Sequence, residues 1–156
     1  EVKKGGKKHC GYSGKHRING VKRSIVVDAR GSFLSLVVAR ANRHDQSLAL
    51  RTIDRISIGQ LVRLGADKGY DSNVLRQSFL TRNIHPVIAR RRNNDTAIFA
   101  SELRHSRYSR QRWKVERSFN WLNNNRRIDR FMEKSTRTYQ GFCHMAFIKF
   151  YLKKLT

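Results

Sequence analysis

The pattern of apolar and polar positions divides the chain into short apolar segments separated by polar turns. Two β-branched runs, 24–28 and 33–39, flank turn-forming residues at 29–32, which predicts a β-hairpin. Further strands are predicted at 61–67 and 86–89, and helices after an N-cap at Asp45, around 74–80, at about 108–124 and at about 139–154. Strands interleaved with helices in this order are typical of a mixed α/β fold.

Residues 1–22 differ from the rest of the chain. They are rich in Lys and Gly and show almost no apolar periodicity. We therefore expect a basic, flexible lead-in over 1–22, followed by a folded domain over 23–156.

Charge narrows the range of functions. The 156 residues carry 34 Lys and Arg against 11 Asp and Glu, a net charge of +23, so the natural partner is a polyanion such as nucleic acid. The basic residues are spread along the chain, which suits contact with phosphates over a long duplex, although any single cluster could be a solvated face. The chain contains no apolar run of membrane-spanning length and opens without the apolar core of a signal peptide, so we expect an intracellular protein, cytoplasmic and at the nucleoid when bound to DNA.

Two acidic residues, Asp67 and Glu116, lie in sequence contexts that favour a catalytic or metal-binding role. Asp67 stands at the carboxyl end of a predicted strand, before a glycine turn, where α/β sheets place functional groups and where a carboxylate could bind Mg²⁺. The alternative for Asp67 is a turn-capping or helix-capping role. Glu116 borders the apolar face of the 108–124 helix among several basic residues; the alternative is a solvated ion pair with Arg112, one turn earlier.

Several ordered motifs resemble those of DDE transposases of bacterial insertion sequences, in the IS-four and IS-five-like group. They are GYSGK at 11–15, GVKRSIVVDARG at 20–31, ANRHD at 41–45, ADKGYD at 66–71, RWKVERSFNWL at 112–122 and the Arg126-Arg127 pair. The resemblance covers nearly the whole chain and corresponds to the C-terminal catalytic part of those enzymes.

This resemblance implies an RNase H-like mixed sheet flanked by helices, in which three acids hold two Mg²⁺ or Mn²⁺ ions for phosphoryl transfer. Asp67 resembles the second acid and Glu116 the third. Arg112 matches the arginine of the family's Y-R-E-K signature and would contact phosphate while orienting Glu116. The implied partners are double-stranded DNA, at transposon ends and target, and further copies of the chain.

The sequence departs from the family pattern at three points. Tyr108 stands four residues before Arg112, where the signature tyrosine stands three before, and Asn123 replaces the signature lysine, whose phosphate contact could pass to Arg126. The first strand and its acid have no counterpart, and neither Asp28 nor Asp45 is well placed to replace that acid. We therefore expect a transposase fragment that lacks its first strand. Its activity would be conditional on that strand.

Two other interpretations stay open. A basic DNA-binding remnant would fold and bind nucleic acid without chemistry. A basic ribosomal-type RNA-binding protein would explain the charge but not the motifs around Asp67 and Glu116.

Overall fold

The computed structural model describes residues 2–3, 9–14, 16–57, 62–91 and 111–155. The strands are β1 (Val2–Lys3), β2 (Gly11–Ser13), β3 (Ile18–Val27), β4 (Phe33–Arg40), β5 (Val62–Ala66) and β6 (Ile84–Ile88). The helices are α1 (Asp45–Ile53), α2 (Asn73–Leu80), α3 (Arg112–Asn123), α4 (Arg126–Asp129) and α5 (Thr136–Leu155), and a 3₁₀ turn spans Lys68–Tyr70. The predicted mixed α/β fold is confirmed.

The first sheet is antiparallel and is built around the long strand β3. The first part of β3 pairs with β1 on one edge and β2 on the other, so that Gly20 faces both Lys3 and Gly11. The second part pairs with β4 from Val21↔Arg40 to Val27↔Phe33. The predicted hairpin at 24–39 is therefore confirmed, and it is longer than its apolar run indicates.

The expectation of a flexible lead-in is wrong for the part of 1–22 that lies in strands. β2 occupies residues 11–13, and β3 begins at Ile18, so the predicted boundary at residue 23 falls inside a strand. The apolar pattern is weak there because Asn19, Gly20 and Lys22 interrupt the apolar residues in this part of β3. Backbone approach is close at Gly11, where an added Cβ would lie 2.4 Å from the Asn42 side-chain oxygen, and this explains the glycine.

A second, two-stranded sheet is parallel. β5 pairs with β6 from Val62↔Ile84 to Ala66↔Ile88. Pro86 lies inside β6, and since proline has no N–H to donate, it is acceptable where the strand pairs on one side. Among the described residues no strand pairs with the other edge of β5, and none pairs with 23–27 of β3 on the side away from β4.

Two apolar clusters fix the helices on these sheets. The larger one joins β3 and β4 to the last three helices through Val21, Leu36, Leu122, Ile128, Phe131, Tyr139 and Phe147. The smaller one joins α1 and α2 to β6 through Ile53, Leu75, Phe79, Ile84 and Ile88, with Val26 of β3 packed against it. β4 is apolar along most of its length because α5 packs on it from one side and α1 from the other.

Helix boundaries differ from the predictions by a few residues. α1 begins at Asp45 itself, and His44 is its N-cap. The helix predicted from Tyr108 is described from Arg112 onward, because residues 92–110 lie outside the described part of the chain. Among the described helices, none has the length and apolar character needed to cross a membrane.

Candidate metal and phosphate site

Asp67 lies directly after β5, at the edge where the carboxyl ends of two parallel strands meet. Its Oδ1 accepts a hydrogen bond from the backbone N–H of Lys68 at 2.8 Å, and it is the N-cap of the 3₁₀ turn. The side chain is 54% exposed, so its carboxylate keeps room for a further ligand. The capping role is therefore present, and it leaves most of the carboxylate open to solvent.

A buried ion pair supports the turn that follows Asp67. The Asp71 carboxylate receives two hydrogen bonds from Arg76 of α2, at 2.9 and 3.1 Å, and both side chains are almost completely buried. Arg76 also donates to the carbonyl of Ile88, the last residue of β6, at 2.6 Å. Because buried charges are stable only when paired and hydrogen-bonded, this pair ties α2, the turn and the end of β6 together.

Arg91 holds the same turn from its other side. Its backbone N–H donates to Asp71 at 2.7 Å, and its guanidinium donates to the carbonyls of Lys68 and Gly69 at 3.0 and 2.9 Å. Asp67 is thus fixed at the start of a turn in which the Lys68 and Gly69 carbonyls and the buried Asp71 carboxylate are hydrogen-bonded. Sequence reasoning missed Asp71 and Arg76 as structural residues; the available signal was an arginine three residues before Phe79, on the apolar face of α2.

Burial raises the pKa of Tyr70, in the same turn, to about 12, and the charges of Asp45 and Asp67 add to the effect. Tyr70 therefore stays protonated even in mildly alkaline solution, and it lies near Asp45 and Asp67. Asp45 itself forms an ion pair with Lys22 at 2.9 Å.

Glu116 lies one turn into α3, and its carboxylate is also exposed to solvent, at 58%. Arg112 Nε donates to Glu116 Oε1 at 3.0 Å, which is the helical ion pair that the sequence suggested as the alternative interpretation. The same guanidinium reaches across to the other acid, with Nη1 3.6 Å from Asp67 Oδ1. One arginine therefore brings together two carboxylates that are far apart in sequence.

The turn between β3 and β4 holds α3 in place. Lys114 donates to the carbonyl of Ala29, and Arg117 Nη2 donates to the carbonyl of Arg30 at 3.2 Å. These contacts fix the helix that carries Arg112 and Glu116 against the first sheet.

Asp28 shapes that turn. Its Oδ1 accepts from the backbone N–H groups of Arg30 and Ser32, both at 2.8 Å. Partial burial pushes the pKa of Asp28 up, but these hydrogen bonds outweigh it, and the net pKa is below the ordinary value of 3.8. Asp28 thus shapes the turn through its Oδ1.

The structure places the remaining predicted site residues as follows. Tyr108 lies outside the described residues. Arg126 is exposed at the start of α4, beyond the far end of α3, and the described contacts bring it to neither acid. Asn123, at the position of the expected lysine, accepts a hydrogen bond from Arg23 Nη2 at 2.6 Å, and so faces β3.

The donor chemistry fits a hard divalent cation. Carboxylate oxygens are the protein ligands that Mg²⁺ and Mn²⁺ prefer, and Mg²⁺ is commonly held by only one or two of them, with water and phosphate oxygens completing the shell. Asp67 and Glu116 already share one cation, the Arg112 guanidinium. Within the described residues, no group of three or more acidic, His or Cys side chains is placed to hold a metal.

Comparison with known proteins identifies the family of the chain. A family model described as "Transposase DDE domain" matches residues 1–149. A protein of Burkholderia cepacia, described as a transposase for insertion sequence element IS402, is 33% identical over 139 residues, which cover 83% of this chain and 59% of that protein. The chain thus spans less than two thirds of this relative. No solved structure gives a significant match. The family match over nearly the whole chain and the identity to the IS402 protein establish that the chain belongs to the DDE transposases of insertion sequences.

Proposed function

We propose that this chain is the larger part of a catalytic domain that cuts and joins DNA during transposition of an IS-four or IS-five-like element, with Asp67 and Glu116 holding divalent metal. The observation that carries the proposal is the meeting of Asp67 and Glu116 at a single arginine. The net charge of +23 supports double-stranded DNA as the partner. Assembly of several copies on two DNA ends, in the cytoplasm and at the nucleoid, is part of the same proposal.

In this proposal the fold is an RNase H-like sheet whose central strand is not among the described strands. Residues 23–27 of β3 and the outer edge of β5 have no strand partner in the described part of the chain. A strand lying between them would join the antiparallel and parallel sheets into one mixed sheet. An acid on that strand would be the third ligand, and nicking would require it.

The residues have distinct roles in such a reaction. Asp67 and Glu116 would hold Mg²⁺ or Mn²⁺, which when bound stabilises the charge on the attacking and leaving oxygens of an in-line displacement at phosphorus. Arg112 binds a phosphate oxygen of the DNA and orients Glu116 through its Nε–H. The buried Asp71–Arg76 pair keeps the Asp67 turn rigid, so the carboxylate is positioned before substrate arrives. Tyr108 and Arg126 remain candidates for further phosphate contacts.

The test is metal-dependent nicking of DNA that carries the ends of the element. When a segment carrying the central strand is supplied with the chain, nicking is expected with Mg²⁺ or Mn²⁺ and is expected to disappear in Asp67→Ala and Glu116→Ala. Asp54→Asn is the control, because Asp54 is an exposed acid paired with Arg82, at 2.7 Å, in a different part of the molecule.

The competing function is a non-catalytic DNA-binding remnant. It predicts equal, salt-sensitive DNA binding by the wild type and both alanine variants, with no cleavage by any of them. If supplying a segment with the missing strand still gives no nicking while DNA binding persists, the remnant is the better description.

A further inference from the structure

Among the described residues, the Arg112 side chain contacts both acids of the site, Asp67 and Glu116. Its Nε lies 3.0 Å from Glu116 Oε1, and its Nη1 lies 3.6 Å from Asp67 Oδ1. Two carboxylates that approach one site repel each other unless a cation lies between them. In the protein without metal, the guanidinium is that cation.

A divalent metal held by the same two carboxylates would need the oxygens that Arg112 now contacts. The guanidinium and the metal would also repel each other at this distance. Metal binding between the two carboxylates therefore opposes the ion pairs of Arg112, and these ion pairs oppose metal binding.

We propose that Arg112 is a placeholder cation: it keeps Asp67 and Glu116 together in the metal-free protein and is displaced when a divalent metal binds. This inference rests on the proposed function, because it requires that the two acids form a metal site. Once displaced, the guanidinium is free to bind a DNA phosphate, so metal binding and DNA contact are coupled through one side chain.

Exchange of the two cations needs little rearrangement. The Arg112 side chain is 62% exposed, and exposed ion pairs are weak. Arg112 is also the first residue of α3, so its side chain can swing outward without disturbing the helix or the apolar clusters.

Arg117 provides a matched control on the same helix. Its guanidinium donates to the carbonyl of Arg30 and lies 4.8 Å from the centre of the Trp113 ring, and it forms no ion pair with Asp67 or Glu116. Arg112→Ala and Arg117→Ala each remove one positive charge, so the comparison separates displacement of a placeholder from a general change in charge.

The experiment is titration of the full chain with Mn²⁺, without DNA, followed by the electron paramagnetic resonance signal of free Mn²⁺. We expect Arg112→Ala to bind Mn²⁺ about threefold to tenfold more tightly than wild type, the effect of removing one unit charge at ion-pair distance in a wet site. Arg117→Ala is expected to change the affinity less than about twofold, since its charge is farther away and screened, and Lys114 still ties α3 to the β3–β4 turn.

Equal affinities in the two variants, or weaker binding by Arg112→Ala, would overturn the placeholder role while leaving the metal site intact. If Asp67→Asn and Glu116→Gln both bind Mn²⁺ as wild type does, the metal site itself is wrong, and the placeholder role falls with it. The two failures are therefore distinguishable.

A second readout tests the coupling. Affinity for a short DNA duplex is measured for wild type and both variants, with saturating Mn²⁺ and with a chelator. Arg112→Ala should weaken DNA binding more with Mn²⁺ than with the chelator, whereas Arg117→Ala should lose the same factor in both. An Arg112→Ala loss that is independent of metal would count against the coupling.

Discussion

Single residues at the proposed site are of two kinds, exposed and buried. Asp67, Glu116 and Arg112 are more than half exposed, as expected of groups that must meet metal and DNA. Asp71 and Arg76, by contrast, are almost inaccessible and hold the Asp67 turn from inside. A buried charge left without its partner is far more costly than an exposed one, so the two kinds should respond differently to substitution.

Arg76→Met is expected to lower the free energy of unfolding by about 3–5 kcal/mol, because the buried Asp71 carboxylate would lose both hydrogen bonds from the Arg76 guanidinium. Arg82→Met removes an arginine that follows the same helix, α2, and whose ion pair with Asp54 is exposed. This substitution should lower the free energy of unfolding by about 1 kcal/mol or less. Urea unfolding of the two variants measures the difference. Similar losses in both would show that burial of the Asp71–Arg76 pair has no special weight.

How far the sequence predicts the site depends on the residue. The position of Asp67 after an apolar strand and the helical spacing of Arg112 and Glu116 are local patterns, and both are found as predicted. The contact of Arg112 with Asp67 depends on packing between remote segments, which no local pattern encodes. The resemblance to a family was needed to connect the two acids.

At the scale of elements, the β3–β4 turn positions the helix that carries Glu116. Gly31 has a φ of +82°, a conformation that side chains other than glycine rarely adopt, and an added Cβ would lie 2.6 Å from Arg117 Nη2. The carbonyls of Ala29 and Arg30, just before it, accept hydrogen bonds from Lys114 and Arg117 of α3. The turn and the helix therefore depend on each other.

Gly31→Ala is expected to destabilise the protein by about 1–2 kcal/mol through backbone strain, and to weaken Mn²⁺ binding by shifting α3. Gly141→Ala is the matched control, since Gly141 lies in α5 with open space around it, and alanine there should stabilise by about 0.5–1 kcal/mol. Thermal unfolding of both variants tests whether the two substitutions change stability in opposite directions. Unchanged or increased stability of Gly31→Ala would contradict the account of the turn.

α5 buries a thiol against the first sheet. Cys143 is inaccessible to solvent, and burial raises its pKa to about 11 from an ordinary value near 9. In a Cys10→Ser variant, where Cys143 is the remaining cysteine, a thiol reagent at pH 8 should react at least about 100-fold more slowly with the folded than with the urea-unfolded protein.

The raised pKa of Cys143 also makes the free energy of unfolding depend on pH. Because the folded-state pKa lies above the unfolded one, the contribution of Cys143 is complete below pH 9 and declines as pH rises from 9 toward 11. In the thiol-reactivity test, rapid modification of the folded Cys10→Ser variant at pH 8 would show that the packing of α5 opens readily.

The boundaries of the elements show what the sequence leaves undetermined. The hairpin and the last helix follow from apolar patterns, but β2 and the first part of β3 were missed because glycine and basic residues there hide the alternation. Their pairing is fixed by the register around Gly20, which faces neighbours on both edges. Pairing between segments, more than local propensity, decides such strands.

At the scale of the whole molecule, the charge of +23 dominates encounters with other molecules. If the chain neutralises about 6–10 DNA phosphates, its affinity for duplex DNA should fall by about 10³–10⁵ between about 50 and 200 mM salt. Removing an acid leaves these phosphate contacts unchanged, so Asp67→Asn should show the same salt dependence as wild type. Fluorescence anisotropy with a labelled duplex measures both, and a weak salt dependence would argue against broad contact with the DNA backbone.

The central claim is that Asp67 and Glu116 form one metal site, and a double-mutant cycle on Mn²⁺ affinity tests it most directly. Asp67→Asn and Glu116→Gln should each weaken Mn²⁺ binding about tenfold or more, the double variant should lose less than the product of the two, and Asp54→Asn should bind as wild type does. Unchanged affinity in the single variants, or losses that multiply as for independent sites, would contradict the claim.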